Sequence, residues 1–199
     1  MHRVSRGLVR SIIVIPSLAL SFVACQPEET PAAQAPCDPD NGGLTLPEGF
    51  CAVVFTPGEG RARHIEVAPN GDVILAMSND RGPERTVIPG GVAVFRDVNG
   101  DGRSDEVHRF GDNGGNEVLL GDGVLYFATD DAVLRYPFPA GSLEPAGPPD
   151  TLVSDLPMAS SHRAKSLALG PGGALYVNIG SPSNACQEDA RAPGSPGLD

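Results

Sequence analysis

The stretch Asp97-Val98-Asn99-Gly100-Asp101-Gly102-Arg103-Ser104-Asp105 has the D-x-N-x-D-G-x-x-D spacing of a calcium loop. In such a loop the glycine at the sixth position permits the sharp turn that lets alternate oxygens converge. Asp97, Asn99 and Asp101 would supply side-chain oxygens, Arg103 its carbonyl, and Asp105 a direct or water-mediated ligand. His108 stands where a bidentate glutamate is usual, with Glu106 as the available substitute, so weak affinity is expected. The alternative is a polar hairpin turn rich in Asp and Gly. His162 is the second chemical candidate, because a neutral imidazole can act as a general base. By position alone it also reads as an exposed loop histidine. Lys165, the only lysine of the chain, follows closely. Arg61, Arg63 and His64 before Ile65, and Asn116 before Val118, occupy corresponding places and could together hold an anionic cofactor.

These residues need elements to position them. Glycine and proline, 25 and 20 of 199 residues, break the chain too often for helices; beyond residue 24 no sustained helical period survives. The 40% of hydrophobic residues is enough for a core, and short strands with tight turns are expected. Three similar hairpins, around 65–75, 118–126 and 167–177, recur at roughly 50-residue intervals. Strands over 91–96 and 106–110 complete a first four-stranded unit, and 131–136 with 151–153 complete a second. Four antiparallel strands per repeat make a propeller blade. A further strand is predicted over 50–55. His162 precedes the first strand of the third unit, which in a propeller lines the central channel. The fold class expected is all-β, a partial β-propeller.

The N-terminus reads differently. Arg3, Arg6 and Arg10 precede an apolar run from Ser11 to Ala24, the pattern of an export signal over 1–24. Ser21-Phe22-Val23-Ala24-Cys25 resembles a bacterial lipobox, with Phe22 where leucine is usual. Cleavage before Cys25 and lipidation of its thiol would anchor the protein to the cell envelope, at the outer membrane or periplasmic face; an ordinary secretory signal followed by a spare cysteine is the alternative. Residues 25–36 are expected to form a disordered tether. Without residues 1–24 the net charge falls from −11 to −14, because three arginines leave and 11 basic residues face 25 acids. Such a domain is a poor nucleic-acid binder, and its only membrane contact would be the lipid anchor. Cys37 and Cys51 flank Asn41-Gly42-Gly43 and could close a small disulfide loop, or stay unpaired, which leaves Cys186 without a partner.

At His162-Arg163-Ala164-Lys165-Ser166-Leu167-Ala168-Leu169-Gly170-Pro171, and again over 175–184 (LYVNIGSPSN), the chain resembles the glucose/sorbosone dehydrogenase family. Val94-Phe95-Arg96-Asp97 and the segment 128–136 support the resemblance, which spans 37–199. Its members are exported six-bladed propellers that use pyrroloquinoline quinone (PQQ). The resemblance implies oxidation of a sugar at C1, or of a sorbosone-type aldehyde, with His162 as catalytic base and an external electron acceptor. It implies that Arg63, Asn116 and Lys165 hold PQQ, beside a calcium site at 97–105. About 160 ordered residues at about 50 per blade make roughly three blades, whereas closed propellers have about four to eight. The expectation is therefore the N-terminal half of a six-bladed propeller over 37–199, with the partner of Cys186 beyond Asp199. A non-catalytic sugar- or protein-binding propeller and a calcium-dependent lactonase-like hydrolase are the competing classes.

Overall fold

The computed structural model describes residues 36–158, 162–181, 183, 187–189 and 191–197, all within the compact unit Ala33–Asp199. The signal, lipidation at Cys25, most of the tether and Cys186 lie outside the described residues. Twelve short strands follow one another with only isolated 3₁₀ turns between them: β1 (Ala62–Val67), β2 (Val73–Met77), β3 (Asp80–Arg81), β4 (Val87–Ile88), β5 (Gly91–Arg96), β6 (Glu106–Phe110), β7 (Gly115–Leu120), β8 (Val124–Thr129), β9 (Val133–Pro137), β10 (Asp150–Val153), β11 (Leu167–Leu169) and β12 (Leu175–Val177). The protein is all-β. Every pairing is antiparallel, and the strands form four separate sheets among the described residues. The first sheet has the order β1-β2-β5-β6, the second β7-β8-β9-β10; β11-β12 and β3-β4 are hairpins.

A short glycine-bearing turn closes the first hairpin of each unit. The N–H of Ala68 donates to Asp72, that of Gly121 to Val124 and that of Gly170 to Ala174, each at 2.8–2.9 Å. The turns hold Gly71, Gly123 and Gly172 at φ of +92°, +71° and +70°, values a side chain tolerates poorly. Much of the glycine content is therefore turn chemistry.

The central strands are apolar on both faces because both faces are covered. From the first sheet Ile74, Ala76, Val92 and Val94 pack against Val118, Leu125, Phe127, Tyr136 and Phe138 of the second sheet and the chain just beyond β9. On the opposite face of the first sheet, Leu75, Ala93 and Phe95 pack with Val73 and Met77 of the same sheet and with Phe55. Ala128 and Val133 of the second sheet meet Leu167, Leu175 and Val177 of the third. The sheets are thus stacked face to face in chain order, and burial of Phe95 or Phe127 contributes about 1.5–3 kcal/mol each.

The segment 50–55 is not a strand. Its backbone is satisfied otherwise: Ala52 donates to Asn41 Oδ1 at 3.2 Å and Val54 to Asp38 Oδ2 at 2.7 Å, while Asp38 N–H donates to Ala52 O at 2.9 Å. The Cys37–Cys51 disulfide, with Cα atoms 5.7 Å apart, closes this N-terminal strap.

Candidate functional site

The strands begin or end at a common edge, and there a cleft of about 440 Å³ opens. The starts of β1 and β7 and the segment before β11 contribute Arg61, Arg63, Asn116, His162, Arg163 and Ala164; the connection after β2 adds Asn79, Asp80, Arg81 and Val87. Asp130, just past β8, completes the polar wall.

Two β-bulges do the positioning. Pairing of β1 with β2 slips between Ala62 and His64, and pairing of β7 with β8 slips between Gly115 and Glu117. The extra residues are Arg63 and Asn116, so each is released from the alternation of its strand and lines the cleft. The next residues turn inward to bridge the two sheets. His64 Nε2 lies 2.9 Å from Glu117 Oε1, and Glu117 is buried. Desolvation pushes the Glu117 carboxyl above its usual range, the His64 charge opposing it.

Asp130 ties the second unit to the third. Its Oδ1 accepts from Asn116 Nδ2 at 2.9 Å, and its Oδ2 stands 3.5 Å from Arg163 Nη1. His162 occupies the left-handed region at φ +58°, uncommon outside glycine though histidine is among the residues enriched there. Gly180 seats it: a Cβ there would overlap the His162 carbonyl oxygen.

Lys165 does not join the cleft. It is 1% exposed, and its Nζ donates to the carbonyls of Arg163 at 2.7 Å and Pro157 at 3.1 Å. The ammonium is consumed in holding the loop before β11, so Lys165 supports His162 and Arg163 rather than a ligand.

The loop 97–105 connects β5 to β6 at the opposite end of the first sheet, as the register Met77↔Gly91 and Val73↔Phe95 requires. Asp97 accepts backbone N–H bonds from Gly100, Asp101 and Gly102. Asn99 Oδ1 takes the N–H of Asp101, Asp101 Oδ1 that of Arg103, and Asp105 those of Val98 and Asn99. Desolvation would raise the Asp97 carboxyl, but these N–H bonds together outweigh it and hold it low. Arg103 points its guanidinium at Asp38 and at the Val54 carbonyl. Among the described residues no group of three or more His, Cys, Asp or Glu side chains could hold a metal ion. The side-chain oxygens at 97–105 are turned onto their own backbone as a multiply bonded Asx turn.

Arg81, Asn79, Asp130 and Arg163 also line the cleft without having stood out in the sequence. Their signal lies in three-dimensional proximity alone. Around the cleft stand four arginines and two aspartates, a cationic patch that a net charge of −11 conceals. Among the described residues Arg61, Arg63 and Arg81 have no carboxylate partner, whereas Arg96, Arg103, Arg109 and Arg135 each do.

Comparison with family models, with curated proteins and with solved structures returns no match.

Proposed function

We propose that the cleft binds an anionic quinone cofactor and a sugar, and that the protein oxidises the sugar in the manner of PQQ-dependent dehydrogenases, the stacked sheets being blades of a β-propeller. The observation that carries this reading is the meeting of Arg63, Asn116 and His162, far apart in sequence, in one cleft beside Arg61 and Arg81, which among the described residues meet no carboxylate. PQQ is a planar quinone with three carboxylates. Guanidinium forks suit carboxylates through paired charge-assisted hydrogen bonds. Arg61, Arg63 and Arg163 are the residues that would hold it, and exposed Val87 offers an apolar wall. The residues present therefore fit the group in charge and shape class.

When bound, the quinone supplies a two-electron acceptor. This chain's own residues do the rest. His162 accepts the proton of the sugar hydroxyl at an imidazole nitrogen as the carbon–hydrogen bond breaks. Asp130, bonded to Asn116 and close to Arg163, fixes the amide and the guanidinium relative to each other. Lys165 keeps the loop carrying His162 in place. An external acceptor would reoxidise the cofactor, and export with lipidation at Cys25 would place the reaction in the cell envelope.

The test is to add PQQ to the purified protein, follow its absorbance and fluorescence, and assay dye-linked oxidation of aldoses. Saturable PQQ binding with turnover is expected. Sugar binding without PQQ binding would reject the quinoprotein reading in favour of a binding module, and lactone hydrolysis would favour the hydrolase.

A further inference from the structure

The two four-stranded sheets differ most at one connection. In the second sheet β8 passes to β9 through residues 130–132. In the first, β2 reaches β5 only through residues 78–90, which carry the hairpin β3–β4. This insertion borders the cleft and contributes Asn79, Asp80, Arg81 and Val87 to it.

Its base is fixed. Asn79 Oδ1 accepts the N–H of Gly90 at 2.8 Å and that of Gly114 at 2.7 Å, and Ser78 Oγ donates to the Gly115 carbonyl at 3.3 Å. A Cβ at Gly90 or Gly114 would overlap the backbone around Ser78, so the hairpin root and the start of the second sheet are in close backbone contact. Its tip holds Glu84 and Arg85 at φ of +55° and +63°, conformations that non-glycine residues adopt at a cost and that cluster at ligand sites. Its body leaves Val87 and Ile88 67% and 51% exposed. Arg81 has no carboxylate partner among the described residues, and the neighbouring Asp80 carboxylate takes the Arg81 backbone N–H at 2.7 Å instead.

We infer that this hairpin is the substrate-selecting wall of the cleft and that Arg81 binds an anionic group on the sugar. The substrate class is an acidic sugar, carrying a carboxylate or a phosphate. The inference rests on the cleft being the binding site. Arg63 and Arg163 line the wall built by the repeated sheets, whereas Arg81 enters from an element the second sheet lacks. A planar guanidinium can take two oxygens of a carboxylate or phosphate at once, while Val87 beside it packs against a ring face.

The test is calorimetric titration of the full chain, its R81Q variant and its R81K variant with glucuronate, glucose 6-phosphate and glucose. R81Q should weaken binding of at least one of the acidic sugars about tenfold, the worth of a charge-assisted hydrogen bond. It should leave glucose binding and the thermal midpoint unchanged, and R81K should recover only part of the loss. A loss confined to glucuronate assigns the carboxylate, one confined to glucose 6-phosphate assigns the phosphate. Unchanged affinity of R81Q for both, or no binding of either by the parent chain, overturns the inference. PQQ binding measured on the same preparations separates the two readings. An Arg81 effect without PQQ binding leaves the selecting wall and rejects the quinoprotein; PQQ turnover with an indifferent R81Q does the reverse.

Discussion

At the loop end of the first sheet, Asp72, Asp97 and Asp105 are all engaged within the fold; at the cleft end, Arg61, Arg63 and Arg81 meet no carboxylate among the described residues. Asp72 is 3% exposed and binds Arg96 through both oxygens, at 2.7 and 2.6 Å. Asn70 donates to the same carboxylate at 2.8 Å. The Arg96 bond holds the Asp72 carboxyl below its usual range against the cost of burial, with Asn70 helping. Here charge is directed at neighbours close in the sheet and serves folding. The cleft arginines sit on bulges and connections, where the regular ladder does not supply them with partners. Exposed cations without a carboxylate, grouped on one concave surface, suit an anionic ligand.

The comparison can be broken in both directions. The largest effect is expected at the cleft. His162→Ala should lower dye-linked turnover by about 10²–10⁴-fold, the range for loss of a general base, while the melting midpoint and PQQ affinity stay put; turnover equal to the parent would remove His162 from the chemistry. Gly180→Ala should come next. Its Cβ displaces the His162 carbonyl, and a misplacement of about 1 Å can cost about 100-fold in rate. A variant with normal turnover would show that the seat of His162 is adjustable.

At the other end the effect should appear in stability and not in binding. Asp72→Ala strips a buried carboxylate from Arg96 and should cost about 3 kcal/mol in urea unfolding, near the lower bound for breaking a buried pair. Equal loss of PQQ affinity would mean that the two ends are not separable. The pH dependence sharpens the same point. The Asp72 carboxyl is lowered on folding, so its contribution is present above the unfolded pKa of about 3.9 and is lost as pH falls through the lower folded value. Asp38, held down by the Val54 N–H and then Arg103, acts in the same window. Urea midpoints should therefore drop on acidification below about pH 4, and Asp72→Asn should flatten part of that drop. Glu117 has the opposite sign. Burial raises its carboxyl, so its contribution favours the folded state at low pH and fades as pH rises through the folded value. Glu117→Gln should remove that opposing slope.

The smallest effect is expected from calcium. Because the 97–105 carboxylates already hold their own backbone N–H groups, 1 mM calcium should move the melting midpoint by less than about 2 °C, corresponding to at most about 1 kcal/mol for a domain of this size. A larger rise, abolished by Asp97→Asn, would show that the loop opens to ligate the ion.

Much of the strand layout was legible in the sequence because its cause is local. Apolar pairs such as Val73-Ile74-Leu75 and Val92-Ala93-Val94, cut by Asn70-Gly71 or Gly121-Asp122-Gly123, admit little but short antiparallel hairpins. The segment 50–55 failed the same logic. It has the right residue types, yet Asp38 and Asn41 take its N–H groups and the Cys37–Cys51 disulfide ties it to the N-terminal strap. The hairpin β3–β4 left no apolar alternation to find, since it has two residues on each side.

The candidate site was legible only in part. Arg63, Asn116 and His162 stood out because the repeat gave them equivalent places, but nothing in the chain distinguished them from Lys165, which occupies a corresponding position and is buried among carbonyls. The sequence by itself determined the class of structure, the turns and the pattern of apolar faces, because these follow from side-chain alternation and glycine conformation over a few residues. Only the tertiary structure decided which polar groups face a common space. Whether an arginine meets an aspartate or a cleft depends on bulges, on one inserted hairpin and on the stacking of sheets roughly 50 residues apart in the chain, distances over which local preferences carry no information.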